Sequence, residues 1–226
     1  SQNLKGSAYQ VSHIEPGEVG RKRLREEVGV ECVPVEQALA DADVVILAVP
    51  DTLIGKLSAE IAPKLKAGTM VMTLDAAAPF AGHLPNRPDL VYFVAHPCHP
   101  SIFNPKAHTE GSPDYFGGVS APQSIVSALM QGDESTFALG EAVAKTIYQP
   151  IERSYRVTVE QMALLEPGLV LGDPAIEVGQ ACRVAFAQAK ALVGIHHVFR
   201  GWLEQLAGIG QGKERGLGLA GDDRMG

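Results

Sequence analysis

The chain has 226 residues, 46% of them hydrophobic and 20% charged, so it can bury one large domain or one domain with a smaller companion. Its formal net charge is −7, and the cations of "RKRLREE" (Arg21 to Glu27) are answered at once by glutamates, which reads as a solvated helix face and excludes a nucleic-acid patch. Apolar runs such as "ADVVILAVP" are far shorter than the roughly 20 residues of a membrane helix, and no basic-then-apolar leader opens the chain, so a cytoplasmic protein without membrane partners is expected.

Short apolar runs alternate with helical stretches through the first half, the pattern of a βαβ series and a mostly parallel, Rossmann-like α/β sheet. "YQVSHIE" (Tyr9 to Glu15) reads as a strand closed by an acid, and "EVGRKRLREEV" as the helix after it. A short "VECVP" and a helix "VEQALADA" lead to "DVVILAVPD", a continuous apolar strand of the doubly buried type. The next helix, "TLIGKLSAEIAPKL", repeats Leu53, Leu57 and Ile61 every four residues. Strands follow in "MVMTLDAAAP" and in Leu90 to Ala95.

From Ser101 to Gly118 the composition is that of a surface loop. A strand "SIVSALMQG", a helix "DESTFALGEAVAKTIYQ" capped by Asp133, and a last strand "PIERSYRV" come next. Thr158 and Gln161 have capping-box spacing at the start of a further helix. The expected division is a dinucleotide-binding domain over residues 1–156 and a smaller helical domain over 157–226, the last 17 or so residues, rich in Gly, being poorly ordered.

Three cysteines, Cys32, Cys98 and Cys182, are too few and too far apart for a disulfide framework, and Cys32 and Cys182 read as small buried hydrophobes. "GLGLAG" (Gly216, Gly218, Gly221) matches a dinucleotide-binding fingerprint in letters, but the mechanism needs a strand before it and a helix after it, and with "GKER" ahead of it and five residues behind it the match reads as a coincidence of a Gly-rich stretch. Glu15 is more informative: an acid at the end of such a strand accepts hydrogen bonds from an adenine ribose and repels a 2′-phosphate, favouring NAD over NADP. Glu15, "AVPD" (Ala48 to Asp51), "LDAAAP" (Leu74 to Pro79) and "AHPCHP" (Ala95 to Pro100) then fall on the ends of consecutive strands, the edge where open α/β sheets bind ligands. For Asp51 the alternative is helix capping. "HPCHP" admits a metal site completed by His108 or Asp114, a Cys98 nucleophile with a histidine base, a histidine moving a substrate proton, or purely structural imidazoles. Glu160 and Glu166 are either solvated helix charges or carboxylates at the domain boundary suited to acid–base work.

The string "DADVVILAVPD…LKAGTMVMTLDAAAPFAG…YFVAHPCHPSIFN…DYFGGVS…RVTVEQMALLEPGL" resembles the NAD-binding, 6-phosphogluconate-dehydrogenase-like oxidoreductases of the β-hydroxyacid dehydrogenase superfamily, in particular a bacterial group with D-apionate oxidoisomerase-type enzymes. The resemblance spans about residues 1 to 169. It implies a Rossmann domain, a helical domain that forms a homodimer, and NAD-linked hydride transfer on a hydroxy or sugar acid, with NADP not excluded. On that reading His96 or His99 handles the hydroxyl proton and Glu160 or Glu166 closes the pocket. Glu15, Val49, Pro50, Asp51 and Asp75 border the cofactor, and Cys98 and Asn104 line the substrate pocket, with no resident metal. Family members open with a strand and glycine loop, and "SQNLKG" resembles the segment just after that loop, so the first strand is expected to be absent. After Pro167 and Gly168 the family's dimer-forming helices are not recognisable. The competing readings are a metal-assisted isomerase or hydrolase built on His96, Cys98 and His99, and a non-catalytic nucleotide-binding fragment.

Overall fold

The computed structural model describes residues 1–98, 114, 119 and 121–165, with side chains as far as 163. The chain divides into two compact units, Ser1–Ala163 and Leu164–Gly226, and the described elements lie in the first except for the last two residues of its final helix. Five strands form one sheet in the order of the chain: β1 (Val44–Leu47), β2 (Met70–Thr73), β3 (Val91–Cys98), β4 (Gln123–Gln131) and β5 (Ile151–Arg156). Three pairings are parallel and one, β3 with β4, is antiparallel, so the sheet is mostly parallel and Rossmann-like.

Its helices are α1 (Glu18–Arg23), continued by a π-helical turn Leu24–Val28, α2 (Val35–Leu39), α3 (Asp51–Ile61), α4 (Ala77–Phe80), α5 (Phe137–Tyr148) and α6 (Val159–Leu165). Alternate residues of each strand feed opposite faces. Leu47, Val71 and Tyr92 pack with Leu39, Ile54, Ala62 and Ala78 from α2, α3, the turn after α3, and α4. Met70, Met72, Phe93 and Ala95 pack with Val143 and Ala144 of α5 on the other face. With both faces covered, the strands can be apolar throughout, which is why they read as unbroken hydrophobic runs.

Two expectations are corrected. Residues Tyr9 to Glu15 do not form a strand: among the described residues their β pairing is one parallel bridge, His13 with Cys32, with Val33 N–H donating to the His13 carbonyl at 2.9 Å, and Arg21 donates from its side chain to the Glu15 carbonyl at 3.3 Å. A β pattern in sequence becomes a strand only beside a ladder partner, and Tyr9, Val11 and Ile14 stay exposed. In α3 the buried stripe is Ile54 and Ser58, continued by Ala62, while Leu53 is 44% exposed. The helix is rotated so that Leu57 and Ile61 flank the core rather than centre it.

The caps agree with the sequence. The Asp133 carboxylate accepts from Ser135 N–H at 2.9 Å. Thr158 and Gln161 bond reciprocally, Thr158 N–H to Gln161 Oε1 at 3.0 Å and Gln161 N–H to Thr158 Oγ1 at 3.1 Å.

Candidate active site

The parallel registers decide which side chains meet at the carboxyl edge of the sheet. Leu47 is level with Thr73 and Thr73 with Val94; β1 and β2 end there, Val49 and Asp75 lie in the turns just beyond them, and His96 lies further along β3, which runs on to Cys98. The face that carries Leu47, Val71 and Tyr92 is covered by α3, whose first residue is Asp51. The backbone turns from β1 into α3 at Val49 and Pro50; Pro50 is the N-cap, and its carbonyl accepts from Leu53 N–H at 2.8 Å. Asp51 therefore does not cap the helix; it occupies the first helical position, where a carboxylate complements the helix dipole.

His96 is half-buried in β3, with Nδ1 2.9 Å from the Leu74 carbonyl oxygen. A carbonyl only accepts, so Nδ1 carries the hydrogen, and in the neutral ring Nε2 holds the lone pair. The tautomer is thus assigned from its partner. Asp75 accepts from Ala77 N–H at 2.7 Å through Oδ1, and its own carbonyl accepts from the Thr73 hydroxyl at 3.0 Å. The Asp51 carboxyl is raised above the usual range, first by burial, then by the charge of Asp75 and a side-chain hydrogen bond to it; a positive His96 acts in the opposite sense. Asp51, Asp75 and His96 form one electrostatic group.

The antiparallel pairing of β3 with β4 continues through Pro97 to Cys98, so His96 and Cys98 share a face. Burial pushes the Cys98 thiol up to about 11, which keeps it protonated and weakens the nucleophile reading. Among the described residues no group of three or more His, Cys, Asp or Glu side chains is placed to hold a metal ion. Asp114, considered as a metal ligand, is buried and accepts from the Val119 and Ala121 N–H groups at 3.0 and 2.9 Å.

Glu15 is half-buried, and its Oε1 accepts from Gly17 N–H at 2.7 Å. Its side chain lies across Gly20, where an added Cβ would fall 2.5 Å from Glu15 Cδ. Glu160 is exposed in the first turn of α6, beyond β5, and the structure does not gather it with His96, Asp75 and Asp51. His99, Asn104, His108, Glu166 and Cys182 lie outside the described residues.

One contributor escaped the sequence reading. Tyr148, at the end of α5, donates its hydroxyl to the Ala95 carbonyl at 3.3 Å, and burial and the charge of Asp75 both raise its phenol. Gln123 in turn holds the Tyr148 carbonyl through Nε2 at 2.8 Å. The residue preceding His96 is thereby fixed from the opposite face of the sheet.

Comparison with known proteins adds to this geometry. The family model "Acetohydroxy acid isomeroreductase, NADPH-binding domain" matches residues 1–91, and "Phosphogluconate dehydrogenase (decarboxylating) C-term" matches residues 104–197. A D-apionate oxidoisomerase of Cupriavidus necator is 70% identical over 169 residues, 75% of this chain and 61% of that protein. A D-apionate oxidoisomerase of Pectobacterium atrosepticum is 37% identical over 198 residues, 86% of this chain and 68% of that protein. The chain belongs to the D-apionate oxidoisomerase family of 6-phosphogluconate-dehydrogenase-like, NAD-binding oxidoreductases. A solved structure of the same kind, a semialdehyde dehydrogenase NAD-binding protein from Cupriavidus necator in complex with calcium and NAD, superposes with a TM-score of 0.74 at 57% identity, covering 98% of this chain and 80% of its own. Against three of the oxidoisomerase relatives this family member spans 60% to 62% of their length.

Proposed function

We propose that this chain carries the cofactor-binding half of an NAD-linked oxidoisomerase that oxidises a hydroxyl of a branched sugar acid of the D-apionate class, with His96 as the proton acceptor. The observation that supports the reading is a histidine of assigned tautomer near the carboxyl end of β3, the kind of edge where open α/β sheets bind ligands. Names of the relatives supply the substrate class.

The residues present suit a nicotinamide dinucleotide. One Glu15 oxygen is held by a backbone amide, and the carboxylate keeps lone pairs for an adenine-ribose hydroxyl. Val49 and Pro50, at the turn from β1 into α3, would border the nicotinamide half together with Asp51 and Asp75. When bound, such a cofactor accepts hydride. The chain's own task is to orient the alcohol and take its proton at His96 Nε2. His99 and Glu166 could share that proton work, Glu160 or Glu166 could close the pocket, and Cys98 and Asn104 could line it.

The same proposal includes a homodimer and a cytoplasmic setting. Among the described residues no helix is long and apolar enough to cross a membrane.

The test is NADH formation from NAD and D-apionate. The wild-type chain should turn over, and His96→Ala should lose about 100-fold or more in kcat/KM. Full turnover by His96→Ala removes His96 from the mechanism. Glu15→Ala should raise the use of NADP relative to NAD by about tenfold, and an unchanged ratio would remove Glu15 from cofactor selection.

A further inference from the structure

We propose that Gly20 is a positioning residue for cofactor choice: its bare Cα is the seat on which the Glu15 side chain lies, and that seat fixes the carboxylate that discriminates NAD from NADP. The inference rests on the reading of Glu15 as the acid facing the adenine ribose and adds what holds that acid in place.

Backbone conformation does not account for glycine at this position. Gly20 is the third residue of α1 and is not among the glycines of positive φ, which are Gly6, Gly29, Gly68, Gly82 and Gly132. Apart from proline, glycine is the poorest helix former, so alanine would serve α1 better. What glycine gives is space. A Cβ added to Gly20 would fall 2.5 Å from Glu15 Cδ, 2.6 Å from Cγ and 2.7 Å from Oε2, against the roughly 3.5–4.0 Å of an ordinary carbon contact. Because Cγ is overlapped as well as the carboxyl group, turning the carboxylate about its last bond gives no relief, and the whole side chain has to leave.

Other contacts keep Glu15 on that seat. Its Oε1 accepts from Gly17 N–H at 2.7 Å, and its carbonyl accepts from Arg21 Nη1 at 3.3 Å. The neighbouring cations are engaged elsewhere: Lys22 with Glu26 at 3.9 Å, Arg23 with Glu27 at 3.1 Å and Arg25 with Glu31 at 2.9 Å. Gly17 repeats the device more mildly, an added Cβ lying 3.0 Å from Oε1. A side chain at position 20 leaves the fold intact, since the group that must yield is the flexible Glu15 chain. The ribose then loses its acceptor, and a 2′-phosphate meets less negative charge.

Two measurements on the full chain test this, one of them independent of cofactor. In 1H–15N NMR spectra the Gly17 amide of Gly20→Ala should move toward the position that it takes in Glu15→Ala, because both variants break its bond to Oε1. In fluorescence titrations with NADH and NADPH, Gly20→Ala should lower the preference for NADH by about tenfold, the value of one hydrogen bond to a charged group. Added to Glu15→Ala, the same substitution should change nothing further, the sign that Gly20 acts through Glu15. A urea midpoint at or above that of the wild type shows that folding is not the cause. A Gly17 amide that stays at its wild-type position, or a preference that Gly20→Ala shifts equally in the Glu15→Ala background, overturns the proposal. If Glu15→Ala itself leaves the preference unchanged, or the chain binds neither nucleotide, the reading of Glu15 falls and the specificity role of Gly20 falls with it. If Glu15→Ala shifts the preference and Gly20→Ala does not, the reading of Glu15 stands and the seat alone is refuted.

Discussion

His96 and Cys98 are two residues apart on one face of β3, and their surroundings give them opposite chemistry. The imidazole has a fixed tautomer at the strand edge, while the thiol is desolvated and pushed up to about 11 from an ordinary 9.0. A thiol that much harder to ionise carries about 100-fold less thiolate near pH 8, so Cys98 should react with iodoacetamide about 100-fold more slowly than a free cysteine thiol. Peptide mapping after timed alkylation reads this directly, and rapid labelling of Cys98 would refute it. The letters of "AHPCHP" could not separate these fates, because residue type is written in the sequence and desolvation is not. The place of His96 near a strand end was legible, since it follows an unbroken buried run. Tyr148 was not, since it stands 53 positions from the Ala95 carbonyl that it holds and nothing local marks it.

Elements were read well where burial on both faces imposed an unbroken apolar string, as in β1, β2 and β3, and poorly where pairing decided the outcome. Residues 9–15 alternate like a strand, yet among the described residues their β pairing is the single bridge to Cys32. The four-residue repeat of α3 was real, but its phase was set by contact with the sheet, which selected Ile54 and Ser58 over Leu53. For α5 the decisive residue is Gly140, which lets the helix approach β3 so closely that an added Cβ would lie 2.5 Å from the Phe93 ring. Phe93 is 1% exposed and packs against Phe137 at 5.5 Å between centroids, so the ring has nowhere to retreat. Gly140→Ala should therefore destabilise by about 1–3 kcal/mol despite the better helix propensity of alanine, as measured by urea unfolding. A stabilised variant would show that α5 can lift off the sheet without cost. At the start of α6, Thr158→Ala removes half of the reciprocal cap and should cost about 1 kcal/mol in the same measurement.

Across the whole molecule, the sheet separates function from stability by its two edges. The carboxyl edge gathers His96, Asp75 and Asp51, while the amino edge is tied by Arg87, which pairs with Asp89 at 2.7 Å and donates to the Ala62 and Leu65 carbonyls after α3. Gln131 of β4 closes the same knot by donating to the Arg87 and Leu90 carbonyls, each at 2.8 Å. The guanidinium beside Asp89 holds its carboxyl below the usual range, and Arg156 and Ser154 do the same for Glu134 and Glu141. On acidification the unfolded chain protonates these groups first, so their stabilising effect is complete above the ordinary carboxylate range of about 3.9–4.3 and is lost as pH falls through the lower folded values. Asp51, shifted upward, has the opposite sign: the folded state binds its proton first, and the folding stability it contributes decreases as pH rises through that range. Arg87→Met should consequently lower Tm by a few degrees near neutral pH and flatten the acid limb of the stability profile, because the largest cause that lowers the Asp89 carboxyl in the folded state would be gone. Five residues of β3, about 17 Å of extended chain, separate Val91 beside this knot from His96. The NMR signals of the His96 imidazole at one fixed pH should therefore be unchanged in Arg87→Met, and displaced signals would show that the two edges are coupled through β3.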